Sequence, residues 1–196
     1  MSDINDNNEK ELPIVRRRNT AAKQIAKCAI FIVLMIVATF IQIPFPIVPL
    51  TFQTVVAVLA GLLLGARWGA ASIAVYVFMG LLGLPVFTGG GGFSYVLQLT
   101  FGYTLGFIAA AFVAGLIIGK KRFSLVRAIL AAIGGFFVNY LIGIPYFLII
   151  WHFYMHNGEV MQAIVANIIY MPKDLVLCVL AAFLARAVYP ALQAKR

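Results

Sequence analysis

Continuous apolar segments recur along the 196-residue chain, and they restrict its fold more than any other feature. They lie at about 21–43, 51–65, 69–84, 99–119, 128–151 and 173–189. A helix needs about 20 apolar residues to cross a bilayer, and most of these segments approach that length. Their continuity excludes a transmembrane β-barrel, whose strands alternate apolar and polar residues. The sequence therefore predicts an all-α integral membrane protein with six transmembrane helices.

The basic residues lie at the ends of these segments, almost all on one side of the predicted membrane. On that side are Lys10, Arg16, Arg17, Arg18, Lys23, Lys27, Arg67, Lys120, Lys121, Arg122, Arg127, Arg186, Lys195 and Arg196. The opposite loops, near 44–50, 85–98 and 152–172, contain no lysine or arginine. Because positively charged loops stay in the cytoplasm, both termini are predicted to be cytoplasmic. The net charge of +9 is thus explained by topology, and no nucleic-acid partner is predicted.

Two domains are expected from the change in composition near residue 20. Residues 1–20 are polar and are predicted to form a disordered cytoplasmic tail, and 21–196 form the membrane domain. The first apolar segment starts late and is too long for the apolar core of a signal peptide. The two cysteines, Cys28 and Cys178, lie in or beside spans and suggest neither a disulfide framework nor a metal site.

Four consecutive glycines interrupt the apolar pattern between the third and fourth segments. Runs of glycine mark unusual backbone angles or close backbone approach. Aromatic and neutral polar side chains surround them, as in small-molecule sites. A flexible connection between two spans is the alternative interpretation. The candidate binding residues here are Gly89, Gly90, Gly91, Gly92, Phe93, Tyr95, Gln98 and Tyr103.

Lys173 and Asp174 stand apart from the charge pattern, because Lys173 is the one basic residue on the predicted outer side. Ionisable residues at membrane depth are costly and usually serve a pathway or a ligand. Pro172 is suited to open a helix, so both residues are expected in the first turn of the sixth span. The alternative is a snorkelling lysine beside an acid at the positive end of a helix.

Catalytic and metal-binding motifs are weak. The sequence lacks GxxxxGK[ST], HExxH and GxSxG, so ATP hydrolysis by a P-loop in this chain is excluded. His152 and His156 are spaced for one helix face, but only Glu159 accompanies them, and neither a metal nor a cofactor is predicted. Asn139 is predicted to make an interhelical hydrogen bond. Trp151 and Trp68 are predicted to be interfacial anchors.

Small residues at helical spacing indicate two close helix contacts. The pair Gly102 and Gly106 in the fourth segment is expected to pack inside the fold. The first segment contains a second set of small residues, which is compatible with contact to another subunit or with packing inside the fold: Ala22, Ala26 and Ala29.

Three stretches resemble the BioY family, the substrate-binding (S) components of energy-coupling factor (ECF) biotin transporters. They are PLTFQT with AGLLLGARWGA (49–54, 60–70), GLPVFTGGGGFSY with TFGYTLGF (83–95, 100–107), and PKDL (172–175). The order and spacing of the second stretch are highly specific. Two departures affect the predicted site: Lys173 replaces the family's usual glycine, and Phe101 interrupts its common Pro-Thr-Gly-Gly-Tyr form.

The resemblance implies a six-helix protein of the prokaryotic cell membrane that captures biotin from outside. It also implies partners, namely a transmembrane coupling protein and two ABC-type ATPases, which fits the missing P-loop. The family meets its coupling protein through Ala-x-x-x-Ala on the first helix, here Ala22 and Ala26, with Ala29 as a continuation. Closure of the glycine loop and tipping of the whole subunit in the membrane are likewise implied by the resemblance.

Biotin has chemistry that these residues can match. Asp174 is expected to accept the ureido N–H groups, and Lys173 to meet the carboxylate unless backbone N–H groups of the glycine loop do so. Phe93, Tyr95 and Tyr103 would pack the apolar ring. Gln53 and Gln98 would make lesser polar contacts.

Three rival functions remain open on the sequence alone. An S component for another small vitamin would use the same architecture. An intramembrane enzyme would use Lys173, Asp174 and the histidines, but no nucleophile–base spacing supports it, and the chain is predicted not to be an enzyme. A small channel would need a polar stripe that no segment shows.

Overall fold

The computed structural model describes residues 13–43, 50–119, 123–154 and 160–193. Six α-helices account for most of this part of the chain. They are α1 (Pro13–Phe40), α2 (Gln53–Leu64), α3 (Ala66–Leu81), α4 (Phe101–Ile118), α5 (Leu125–Ile149) and α6 (Val160–Gln193). A 3-10 turn at Phe93–Leu97 precedes α4, and a π-helical turn at Ile150–Tyr154 extends α5. The helical architecture predicted from the sequence is therefore confirmed.

Four of the described helices are long and apolar enough to cross a membrane. The apolar stretches are Ala21–Phe40, Phe101–Ile118, Leu125–Tyr154 and Asn167–Pro190. The remaining two, α2 and α3, have 12 and 16 residues, below the usual spanning length. By length and composition the chain is thus an integral membrane protein with four candidate spans and two shorter apolar helices.

The first helix is displaced from its predicted boundaries. It begins at Pro13, so residues 13–20 of the predicted tail are helical, while residues 1–12 lie outside the described part of the chain. It ends at Phe40 and not at residue 43, because Gln42–Ile43 form a short strand, β1. This strand pairs antiparallel with β2, Leu50–Thr51, and the small ribbon was not predicted.

The core is built around α2, which contacts every other helix of the described chain. Small buried residues such as Ala57 and Ala60 allow neighbouring helices to come close to it. The most extensive helix pair is α4 with α5. A Cβ on Gly102 would lie 2.3 Å from Tyr146 Cβ, and one on Gly106 would lie 2.3 Å from Asn139 Oδ1. The predicted internal packing of this glycine pair is therefore confirmed.

The start of the sixth helix differs from the sequence prediction. Because α6 begins at Val160, Lys173 and Asp174 lie inside it and not in its first turn. The stretch 160–171 is the first part of α6. Proline removes one backbone hydrogen bond, but neighbouring helices compensate for it in membrane proteins, so Pro172 does not end or open the helix.

Candidate functional site

The centre of the candidate site is an ion pair on α6. Lys173 Nζ lies 2.7 Å from Asp174 Oδ1, and the same ammonium group donates to the backbone carbonyl of Thr51 at 3.0 Å. Asp174 is only 8% exposed. A charge buried to this extent is tolerated when a counter-ion and hydrogen bonds accompany it, and both are present here. The hydrogen bond from Lys173 to Thr51 also connects α6 to β2.

The second carboxylate oxygen of Asp174 is held by two hydroxyl groups. Tyr140 on α5 donates to Oδ2 at 2.8 Å, and Thr54 on α2 donates to it at 3.4 Å. An ionised carboxylate has about four acceptor positions, and these contacts with Lys173 use three of them. Asp174 therefore retains capacity to accept a hydrogen bond, most directly at Oδ1.

A buried tyrosine joins α2 to the base of the glycine loop. The hydroxyl of Tyr76 on α3 accepts from Gln53 Nε2 at 2.8 Å and donates to the carbonyl of Val86 at 2.9 Å. It also lies 3.0 Å from Thr39 Oγ1 on α1. Gln53 Oε1 accepts from the Thr51 hydroxyl at 3.1 Å, so both ends of this amide have protein partners. Through Tyr76 the network connects Thr39 on α1 with Val86 in the loop. Through Gln53 it reaches Thr51, whose carbonyl accepts a hydrogen bond from Lys173.

Replacement of Tyr76 by phenylalanine tests this network. The ring would still meet Phe87 edge-on, but the Val86 carbonyl and Gln53 Nε2 would lose a partner while buried. A buried polar group left unpaired costs about 1–3 kcal/mol, so for two such groups we expect about 2–6 kcal/mol of lost stability. Hydrogen exchange at Gly90, whose N–H is bonded to the Phe87 carbonyl, should accelerate.

The control for this substitution is Tyr154→Phe, which changes an exposed hydroxyl near the end of α5. It should leave both thermal unfolding and exchange in the loop unchanged. Equal exchange rates in wild type and Tyr76→Phe would show that the tyrosine does not hold the loop.

The glycine loop is folded back on the end of α3. Phe87 and Gly90 exchange both backbone hydrogen bonds, at 2.9 and 3.0 Å, and Gly92 N–H donates to the Gly80 carbonyl at 2.7 Å. Gly90 and Gly92 have φ of 105° and 109°, a region that favours glycine. At Gly91 a Cβ would lie 2.0 Å from the Leu84 carbonyl oxygen. Glycine is thus required here by backbone contact and not by flexibility alone.

Aromatic side chains connect this loop to the ion pair. The ring of Tyr95 packs against Phe87 at a centroid distance of 4.4 Å and a tilt of 32°, and it meets Phe101 edge-on at 6.3 Å. Phe101 in turn meets Tyr146, whose hydroxyl donates to the Val96 carbonyl. We refer to Phe87, Tyr95, Phe101, Tyr103, Tyr140 and Tyr146 as the aromatic wall.

The inner end of this wall reaches Asp174. Tyr103 lies 5.4 Å from the ring of Tyr140, the residue that donates to Asp174. The hydroxyl of Tyr103 also donates to the buried Asn167 on α6. The loop and the ion pair are consequently joined by continuous side-chain contacts.

The structure brings some of the predicted site residues together and leaves others apart. Tyr95 and Tyr103 belong to the aromatic wall, and Gln53 links the loop to the residue that binds Lys173. Phe93, in contrast, is 77% exposed and Gln98 is exposed as well, so neither packs against the wall. The glycines form the loop described above. Ala22, Ala26 and Ala29 are all exposed on α1.

Four polar residues of the site were missed by sequence reasoning: Tyr76, Tyr140, Thr54 and Asn167. All four are buried within apolar helices, where single hydroxyl or amide groups do not alter the hydropathy pattern. A tyrosine inside an apolar span is the usable signal, since its hydroxyl usually needs a partner when buried. Asn139, interpreted as an interhelical hydrogen bond, has no partner for Oδ1 among the described residues.

The described residues contain no group of three His, Cys, Asp or Glu side chains that could hold a metal ion. His152 is exposed and contacts Phe153, while His156 and Glu159 fall outside the described part of the chain.

The fold has a counterpart among solved structures. It is similar to a crystal structure described as the S-component for biotin from an ECF-type ABC transporter, with a TM-score of 0.67. The match covers 87% of this chain and 92% of the other, at 24% sequence identity. The chain therefore has the fold of an S component, which agrees with the helical prediction made from the sequence.

A family model for the BioY family matches residues 9–194, and the chain belongs to that family. The biotin transporter BioY of Thermotoga maritima is 34% identical over 165 residues, which cover 83% of this chain and 94% of that protein. A probable biotin transporter BioY of Lysinibacillus sphaericus is 49% identical over 124 residues. That alignment covers 60% of this chain and 61% of the relative.

Proposed function

We propose that the chain is the biotin-binding S component of an ECF transporter and has no enzymatic activity of its own. The observation that carries the proposal is the buried ion pair of Lys173 and Asp174 at the inner end of the aromatic wall. A polar end and an apolar wall under a backbone loop suit a small ligand with a compact polar group on an apolar body.

The ion pair also suggests which end of biotin it meets. Lys173 Nζ and Asp174 Oδ1 are 2.7 Å apart, so one polar group of the ligand would contact both. The ureido group has N–H donors for Asp174 and a carbonyl acceptor for Lys173. A ligand carboxylate would be repelled by Asp174. We therefore place the ureido ring at the ion pair, which changes the role expected for Lys173 from the sequence.

The remaining predicted residues take supporting roles in this proposal. Tyr95 and Tyr103 would pack the thioether ring and the valerate chain. Gln53 would position Thr51 and the loop, because both ends of its amide are engaged. Phe93 and Gln98 would contact biotin only if the loop moved. The loop itself, 89–92, would cover the ligand.

Equilibrium binding to the purified chain tests the ligand. We expect saturable binding of biotin, and no competition from riboflavin or thiamine in excess. Tight binding of another vitamin in place of biotin would favour the S component of a different transporter. Formation of a product from biotin by the isolated chain would favour an enzyme.

Topology and partners form the second part of the proposal. We infer six membrane segments with both termini in the cytoplasm of a prokaryotic cell, from the charge pattern and the six helices. The partners would be a coupling protein and two ABC-type ATPases. The ATPases would hydrolyse ATP, since this chain lacks a P-loop motif. Tipping of the S component in the membrane would then release biotin inward.

The exposed alanines of α1 provide a test of the partner surface. Ala26→Leu would place a larger side chain where helices are expected to approach closely, so most of the co-purifying coupling protein should be lost in mild detergent. Biotin binding by the isolated variant should be unchanged. The matched control is Ala21→Leu, the same change at an exposed residue on a different face of the helix. Full recovery of the partners with Ala26→Leu would exclude this surface.

A further inference from the structure

Trp151 carries a buried hydrogen-bond donor that the fold does not use. Its side chain is 7% exposed and stacks on Phe147 at 5.7 Å with an interplanar angle of 15°. Its indole Nε1–H has no hydrogen-bond partner among the described residues. Within a membrane-spanning segment such a donor is costly unless an acceptor reaches it, since lipid offers none.

The position of Trp151 relates it to the candidate site. Tyr140, Gly143, Phe147 and Trp151 recur at helical spacing, and all four are buried on one face of α5 and its π-helical extension. Eleven residues of helix separate the first from the last, which corresponds to about 16 Å along the axis. Tyr140 lies at the ion pair, so Trp151 lies at the other end of the same inward face.

The neighbours of Trp151 belong to the wall that leads to Asp174. It clusters with Leu99, Phe147 and Ile150, and Tyr103 and Tyr146 pack against this cluster. Tyr146 donates to the carbonyl of Val96 in the 3-10 turn that follows the glycines. The free indole N–H is therefore enclosed between the loop and the outer half of α5.

We propose that Trp151 binds the carboxylate end of biotin, with its indole N–H donating to a carboxylate oxygen. This inference rests on the proposed function, in which the ureido ring occupies the ion pair. An elongated ligand held there at one end directs its carboxylate away from Asp174, along the wall. An anionic acceptor in that position would satisfy the buried indole donor that the described residues leave unpaired.

Backbone donors near the loop are partly occupied, which strengthens the assignment. The N–H groups of Gly90 and Gly92 are already bonded to the carbonyls of Phe87 and Gly80. An anion-binding nest would need consecutive free N–H groups, and alternate glycines of this run have theirs engaged. The glycine run therefore offers no two consecutive free N–H groups, and Trp151 supplies a side-chain donor.

Biotin and biotin methyl ester, measured with Trp151→Phe, test the inference. Phenylalanine keeps a ring against Phe147 and removes only the donor and part of the indole. We expect the Kd for biotin to rise about tenfold, equivalent to about 1.4 kcal/mol, because a hydrogen bond to a charged group is lost. The Kd for the neutral ester should change by less than about threefold.

The control is Trp68→Phe, which changes a 42% exposed tryptophan on α3 and should bind biotin like wild type. In that control protein Trp151 is the only tryptophan, so its emission reports on the site even if Trp151→Phe does not fold. We expect biotin to change the emission more than the ester does.

The outcomes separate this inference from the proposed function. Wild type that does not bind biotin would refute both. Wild type that binds biotin, with an equal Kd for Trp151→Phe or with no change of Trp151 emission, would overturn the role of Trp151 alone. An equal loss of affinity for biotin and its ester would also overturn it, since the donor would then not meet the carboxylate.

Discussion

Asp174→Asn is expected to weaken biotin binding by about 100-fold or more. The substitution keeps the size of the side chain but removes its charge, so the hydrogen bond from a ureido N–H group to Oδ1 loses its charge assistance. A hydrogen bond to a charged group contributes about 1.5–3 kcal/mol, whose upper end is about 100-fold in Kd. The ammonium group of Lys173, left without its counter-ion, adds to the loss. Asparagine would also turn a donor toward Tyr140 or Thr54, which now donate to the carboxylate. Titration of the purified variant measures the effect.

Two further variants show whether the loss comes from the ligand contact. Asp174→Asn leaves Lys173 without its counter-ion, and that alone could distort the site. The double variant Lys173→Gln/Asp174→Asn removes both charges and should bind biotin no better than Asp174→Asn. Tyr140→Phe removes one hydroxyl from the carboxylate but retains the charge, and its effect should be much smaller. Recovery of affinity in the double variant would contradict a direct role for Asp174.

Gly91→Ala is expected to weaken biotin binding about tenfold or more, whereas Gly89→Ala should be almost neutral. A Cβ at residue 91 would lie 2.0 Å from the Leu84 carbonyl oxygen and 3.1 Å from that of Gly80. Both are backbone atoms, so the loop would have to leave α3 and lose the bond from Gly92 to Gly80. A Cβ at residue 89 would lie 3.4 Å from the ring of Tyr95, which is ordinary contact.

Comparison of the two glycine variants shows whether biotin binding depends on the position of the loop or on its flexibility. Each removes one glycine from the same run, so both reduce the conformational freedom of the unfolded chain to a similar extent. Binding and thermal unfolding of the two proteins should be measured side by side. Equal losses of affinity would indicate that binding requires flexibility of the loop and not its packing against α3.

The helices could be predicted well because the length of each apolar segment and the positions of the charged residues are read directly from the sequence. It was wrong about Pro172, since the statistical preference of proline for helix starts was overridden by packing that continues α6 through it. It also placed the end of α1 three residues too late, because the apolar pattern does not distinguish a helix from the two-residue strand that follows Phe40.

The site was predicted less completely than the fold. Lys173 and Asp174 were recognisable because charge is rare in this chain, and the glycine loop because four glycines adjoin. Tyr76 and Tyr140 are recognisable in the apolar spans as hydroxyl groups that need partners, but the identity of those partners depends on which helices meet, and the sequence does not determine helix neighbours. Phe93 was expected to pack the ligand, yet it faces outward, because an aromatic residue in a loop carries no sign of its direction.

A crystal structure of the purified chain with biotin bound tests the central claim most directly. We expect one ureido nitrogen within about 2.7–3.2 Å of the Asp174 carboxylate, with the glycine loop over the ligand and its apolar ring against the aromatic wall. Biotin bound elsewhere, or with the ureido ring away from the ion pair of Lys173 and Asp174, would contradict it.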